Sequence, residues 1–136
     1  MGGVICIFKN MHIEHIAIWT RDLEALKDFY TKHFGCVSSP MYTNSEKGFR
    51  SYFLSFESGA RLELMSVDSL VDRALLPGVG YAHFAISLGS EQAVRRITAH
   101  LEAQGVSVVS LPRYTGDGYF ESVIMDPDGN RLELTV

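Results

Sequence analysis

The chain repeats itself, and the repeat limits what it can fold into. His15-Ile16-Ala17-Ile18 returns sixty-eight positions later as His83-Phe84-Ala85-Ile86, and Gly59-Ala60-Arg61-Leu62-Glu63-Leu64 returns seventy positions later as Gly129-Asn130-Arg131-Leu132-Glu133-Leu134. Between these landmarks each half carries a helical pattern closed by a glycine, and Gly35 stands 28 positions before Glu63 just as Gly105 stands 28 before Glu133. Three landmarks in constant register mark two copies of one supersecondary unit. A unit of this size cannot bury both a sheet face and a helix by itself, so the two must pack together or with a second chain.

The order of elements follows from periodicity and punctuation. Asp22 is a good N-cap, Leu23, Leu26, Phe29, Tyr30 and Phe34 recur at helical spacing, and Gly35 offers the left-handed position that ends a helix. Ser90, the stripe Val94, Ile97 and Leu101, and Gly105 repeat that scheme. Strands are predicted at 13–19, from 37 to about 43, at 51–56 and at 61–67, matched in the second half by 81–88, 106–111, 119–125 and 131–136. Glu57-Ser58-Gly59-Ala60 and Asp126-Pro127-Asp128-Gly129 read as hairpin turns, the second with strong turn chemistry. Each half is therefore β-α-β-β-β: module one at 11–67, a linker at 68–80 holding Pro77, Gly78 and Gly80, and module two at 81–136. Residues 1–10 lie outside the repeat as an N-terminal extension, in which 4–8 read as an edge strand or an unstructured stretch. Gly2 suggests myristoylation, but Cys6 stands where that motif takes Ser or Thr.

Composition narrows the function. With 136 residues the chain is one domain by size, 46% hydrophobic and 21% charged, with a net charge of −4. A binder of phosphate backbones needs a basic face, so nucleic acid is excluded as a first expectation. No apolar run approaches the roughly 18 residues that span a bilayer, and no secretory leader is expected because no basic n-region and apolar h-region precede a cleavage site. A soluble, cytoplasmic protein is expected. Cys6 and Cys36 are too few for a disulfide framework and lack zinc-site spacing.

Strand alternation places the polar residues. Ile16 and Ile18 share one face while His15, Ala17 and Trp19 share the other, and Phe84 and Ile86 likewise oppose His83, Ala85 and Ser87. Leu62, Leu64, Leu132 and Leu134 join the aliphatic face that the helices must cover. His15, Glu63, His83 and Glu133 fall on the opposite face. They are either polar side chains on a wet sheet face or ligands of one divalent ion, Zn, Ni, Co, Mn or Fe, because imidazole nitrogens and carboxylate oxygens at ~2.0–2.2 Å suit all of these. Identical placement in two modules related by a pseudo-twofold axis favours the metal.

The His-x-Ala-Ile strand openings, the Asp28-Phe29-Tyr30 to Gly35 helix end and the Asp126-Pro127-Asp128-Gly129-Asn130-Arg131-Leu132-Glu133 hairpin together resemble the vicinal oxygen chelate superfamily of glyoxalase I-like proteins, over essentially all of 11–136. The resemblance implies an α+β fold of two tandem βαβββ modules forming a cupped eight-stranded mixed sheet. It also implies a metal held by His15, Glu63, His83 and Glu133. Glu at the second position resembles the four-ligand lyase branch, whereas the superfamily's iron dioxygenases use only the two histidines and the last glutamate.

Such a centre would chelate two vicinal oxygens of a small carbonyl substrate and stabilise an enediolate, while Glu133 or Glu63 acts as the base that moves the proton between neighbouring carbons. Glutathione-using members carry an Arg four residues after the first His and an Asn four after the first Glu. Trp19 and Val67 occupy those places here, so a glutathione adduct is not the expected substrate. Trp19 is a candidate apolar wall of the pocket, or simply core. Arg61 and Arg131 each precede a glutamate by two on its face and are candidates to neutralise a carboxylate or bind an anionic substrate; Glu121 is a further candidate substrate contact. The stretch 113–118 reads as a candidate lid. His12, His33 and His100 have no counterparts in the repeat, and His33 and His100 sit in helix last turns, where the dipole favours a cation. Two alternatives stay open: an Fe(II) dioxygenase using His15, His83 and Glu133, and a non-enzymatic drug-binding protein. A homodimer is expected, its modules paired within one chain or exchanged between two.

Overall fold

The computed structural model describes residues 11–74 and 77–136, so the expectations for residues 1–10 lie outside the described residues. The first half runs β1 (His15–Trp19), α1 (Leu23–Phe34), β2 (Val37–Ser38), β3 (Tyr42–Asn44), a short 3-10 turn, β4 (Phe49–Ser55) and β5 (Arg61–Val67). The second runs β6 (His83–Ser87), α2 (Glu91–Ala103), β7 (Val108–Tyr114), β8 (Phe120–Met125) and β9 (Arg131–Thr135). Both helices start as expected: the Asp22 carboxylate accepts from the Ala25 N–H at 3.0 Å and the Ser90 hydroxyl oxygen from the Ala93 N–H at 3.1 Å. Gly35 at φ 66° and Gly105 at φ 86° take the left-handed conformation that turns the chain out of each helix, which costs a glycine no Cβ clash.

Two expectations about strands need correction. The strand predicted from 37 to about 43 is divided into β2 and β3, because Pro40 between them has no N–H to give a ladder. The strand predicted at 106–111 is shifted to Val108–Tyr114, with irregularities in its register on β8 around Ser110 and Arg113 that accommodate Pro112. Arg113 and Tyr114, predicted in the loop, therefore belong to β7. What is left of the candidate lid is a bonded hairpin tip, in which the Thr115 N–H donates to the Tyr119 carbonyl at 2.8 Å and the Gly118 N–H to the Thr115 carbonyl at 3.0 Å.

The strands form two mixed sheets, one in each half, ordered β1-β5-β4-β2 with β3 also on β4, and β6-β9-β8-β7. The repeat holds residue for residue in the parallel pairs. β1 lies parallel to β5 with His15 opposite Arg61 and Ala17 opposite Glu63; β6 lies parallel to β9 with His83 opposite Arg131 and Ala85 opposite Glu133.

One core serves both halves. Leu62, Leu64, Leu132 and Leu134 are buried with Leu26 and Tyr30 of α1 and Leu101 of α2, and Ile18, Phe84 and Ile86 pack against them. Tyr30 also ties the halves by a polar contact, its hydroxyl donating to Asp126 Oδ2 at 2.8 Å. Asp126 is itself buried and accepts from the backbone N–H groups of Asp128 and Asn130 and from the Asn130 side chain, so the turn before β9 is built around it. Cys36 is buried too, and burial pushes its thiol up to about 11, as befits an unreactive packing residue.

Candidate metal centre

Alternation along β5 and β9 decides where the four predicted ligands go. Leu62 and Leu64, Leu132 and Leu134 turn into the core, which leaves Glu63 and Glu133 on the other face beside the histidines that begin β1 and β6. The result is two pairs. His15 Nε2 lies 3.8 Å from Glu63 Oε1, and His83 Nε2 lies 3.1 Å from Glu133 Oε1. The histidine side chains are 42% and 40% exposed and the glutamates 14% and 23%, so each pair is rooted in the sheet yet open at its tip. Among the described residues no three side chains of His, Cys, Asp and Glu come together to hold a metal.

The donor set fits a divalent ion of the kind expected. Two ligand atoms at about 2.1 Å from one ion and at the right angle of an octahedral site lie about 3.0 Å apart. The His83–Glu133 spacing matches that figure, and the His15–Glu63 spacing exceeds it by less than the reach of a side-chain rotamer. Each pair offers one nitrogen and one oxygen donor.

Their surroundings differ. His15 Nδ1 is 2.5 Å from Glu14 Oε2, and Arg61 Nε donates to Glu14 Oε1 at 2.6 Å. The Arg61 guanidinium lies over the Phe53 ring at 4.1 Å, and the His15 ring meets the same phenyl group edge-on at 5.4 Å. The His15 contact foremost, working against desolvation and joined by the Arg61 contact and charge, holds the Glu14 carboxyl below the ordinary glutamate range. Sequence reasoning did not single out Glu14; its signal was an acid immediately before the first histidine.

In the second half the neighbour is Glu121, buried on β8 opposite Thr135 and hydrogen-bonded to Glu133. Burial first, then the bond to Glu133 and its charge, push the Glu121 carboxyl above the ordinary range, with Arg113 opposing. Arg113 also donates to the Glu121 carbonyl at 3.1 Å.

The remaining candidates are placed as follows. Trp19 is 49% exposed, edge-on to Phe49 at 6.3 Å, and so stands outside the core. With Arg21, Tyr81, His83 and Arg131 it lines a cleft of about 770 Å³ where the two halves meet. Arg61 is committed to Glu14. His33 departs from the cationic role expected of it at a helix end. Its ring is packed on Phe29 with Nδ1 buried and unbonded, and burial, then Lys32 and His100, lower its proton affinity and favour the neutral ring.

A sequence profile of the Glyoxalase/Bleomycin resistance protein/Dioxygenase superfamily matches residues 12–134. No curated protein sequence matches the chain. Among solved structures, glyoxalase I from Zea mays is similar at 22% identity and a TM-score of 0.76, over 91% of this chain and 44% of that one. A glyoxalase family protein from Enterococcus faecalis is similar at 25% identity and a TM-score of 0.73, over 95% and 98% of the two chains. A glyoxylase/bleomycin resistance protein/dioxygenase domain from Frankia sp. EAN1pec reaches a TM-score of 0.80 at 16% identity, over 93% and 97%. This chain thus spans less than half of the maize enzyme and nearly the whole of the two bacterial proteins.

Proposed function

The chain belongs to the Glyoxalase/Bleomycin resistance protein/Dioxygenase superfamily, and from that premise we propose that it is a divalent-metal-dependent lyase or isomerase acting on a small carbonyl compound with two adjacent oxygens. The observation that carries the reading is the twofold recurrence of one His–Glu pair, in identical strand register, on the sheet face turned away from the core. His15, Glu63, His83 and Glu133 are its four ligands. Because the two pairs do not converge among the described residues of one chain, the centre is completed in a homodimer, the first pair coming from one protomer and the second from its partner.

A divalent ion held by these four side chains would supply Lewis acidity toward the carbonyl oxygen, which acidifies the neighbouring C–H. Glu133 takes that proton on a carboxylate oxygen and returns it to the adjacent carbon. Glu121, hydrogen-bonded to Glu133, orients this carboxylate. Trp19, exposed at the end of β1, supplies an apolar wall, and Arg131, opposite His83 in register, meets a negatively charged substituent. Trp19 and Val67, in place of the polar contacts that glutathione-using members of the superfamily carry, favour a substrate without a glutathionyl group.

Two measurements test this. Metal analysis after reconstitution is expected to give one Ni, Zn, Co or Mn per protomer; oxygen-sensitive iron would favour a dioxygenase, and no metal at all a binding protein. In D₂O, small α-oxoaldehydes and α-hydroxyketones are expected to gain deuterium next to the carbonyl, and Glu133→Gln to lose this exchange by about 10²–10⁴-fold, the usual worth of a positioned general base. Undiminished exchange in that variant would remove Glu133 from the mechanism.

A further inference from the structure

We propose that Glu14, braced by Arg61, is a positioning residue that holds the His15 ring as its Nδ1–H tautomer and so presents Nε2 as the free donor atom. The consequence for metal binding rests on the reading above; the tautomer itself does not.

A neutral imidazole carries one proton, and the nitrogen without it is the one that can ligate. In free histidine the proton resides mainly on Nε2, the wrong atom for a ring that must offer Nε2 toward Glu63. Here Nδ1 faces Glu14 Oε2 at 2.5 Å, and a carboxylate can only accept, so the proton in that contact is the ring's own. The other carboxylate oxygen is occupied by Arg61 Nε at 2.6 Å, and the Arg61 backbone N–H donates to the Glu14 carbonyl at 2.8 Å. Arg61 is itself fixed by the parallel register, opposite His15, and by the Phe53 ring beneath its guanidinium. Phe53 in turn meets the His15 ring edge-on, which closes a circuit of three side chains around the imidazole. A carboxylate bonded to the far nitrogen of a ligating histidine is the usual device for fixing ring orientation and raising donor strength.

The second half provides the control. Ala82 stands where Glu14 stands, so His83 has no carboxylate immediately before it, although Arg131 repeats Arg61 in register. The repeat is exact in ligands and unequal in what supports them.

The test uses metal-free full-length protein labelled with ¹⁵N in its histidines, above about pH 7.5, with long-range ¹H–¹⁵N correlation spectra of the ring nitrogens. Wild-type His15 is expected as the Nδ1–H form, and Glu14→Ala is expected to return it to mostly Nε2–H while His83 signals stay where they were. Glu14→Gln, whose amide oxygen still accepts, is expected to retain most of the Nδ1–H form, a rescue that a purely structural role would not produce. A wild-type His15 that is mainly Nε2–H, or one indifferent to Glu14→Ala, overturns the proposal. Calorimetric Ni²⁺ titration is expected to show about 10–100-fold weaker binding in Glu14→Ala, the usual cost of losing such a partner. If wild-type protein binds no metal, the functional reading fails while the tautomer comparison still decides this one.

Discussion

Single side chains hold the two halves together and also mark where pH will act. Tyr30 is fully buried, and its hydroxyl donates to an aspartate that the next turn is folded around. Burial foremost, and then the Asp126 charge, keep its phenol protonated far above the ordinary range. Tyr30→Phe should cost about 1–3 kcal/mol in urea unfolding, the range for removing a charge-assisted hydrogen bond in a buried site. His33 sets a second expectation. Its folded form binds a proton less readily than the unfolded chain, so the stability it permits is complete above the ordinary histidine value of about 6.5 and falls as pH drops below it. His33→Phe, which keeps the aromatic packing and removes the buried unbonded nitrogen, should flatten the fall of Tm between about pH 7.5 and 5. An unchanged slope would assign that fall to the other histidines.

At the scale of elements, the sequence was most legible where local chemistry decides. Both helices were readable because a capping side chain, a 3.6-residue stripe and a terminal glycine agree. Asp22→Ala should therefore cost about 1 kcal/mol in thermal unfolding, as loss of an N-cap does. The face assignments of β1, β5, β6 and β9 were readable because their alternating apolar residues, leucines in β5 and β9, must point inward. The two prolines mark where legibility ended. Pro40 divides a strand and Pro112 is absorbed by one, and the difference lies in whether a register shift on the neighbouring strand can take up the missing donor. The contacts around the candidate site were hidden for a related reason. Glu14 precedes its strand and is aimed by Arg61, forty-seven positions away, while the Glu121–Glu133 contact depends on how β8 registers on β9. Neither relation has a local signature.

For the whole molecule, the decisive fact is that the four proposed ligands stand as two pairs. If the centre joins one pair from each of two chains, two crippled variants should repair each other. His15→Ala and His83→Ala homodimers would each hold no complete centre. A statistical mixture formed by unfolding and refolding them together would place one intact centre in every heterodimer, restoring about a quarter of the wild-type metal content. If centres formed within a chain, the mixture would restore none. The fold also bears on how readily such an exchange could arise. Every ladder among the described residues closes inside its own half, and the seam is made by the shared aliphatic core and the Tyr30–Asp126 bond. Parting the halves therefore exposes apolar surface but breaks no strand pairing. A plane of that kind is where a protein can trade an internal partner for an identical external one, leaving both sheets whole and making the seam a unit of exchange.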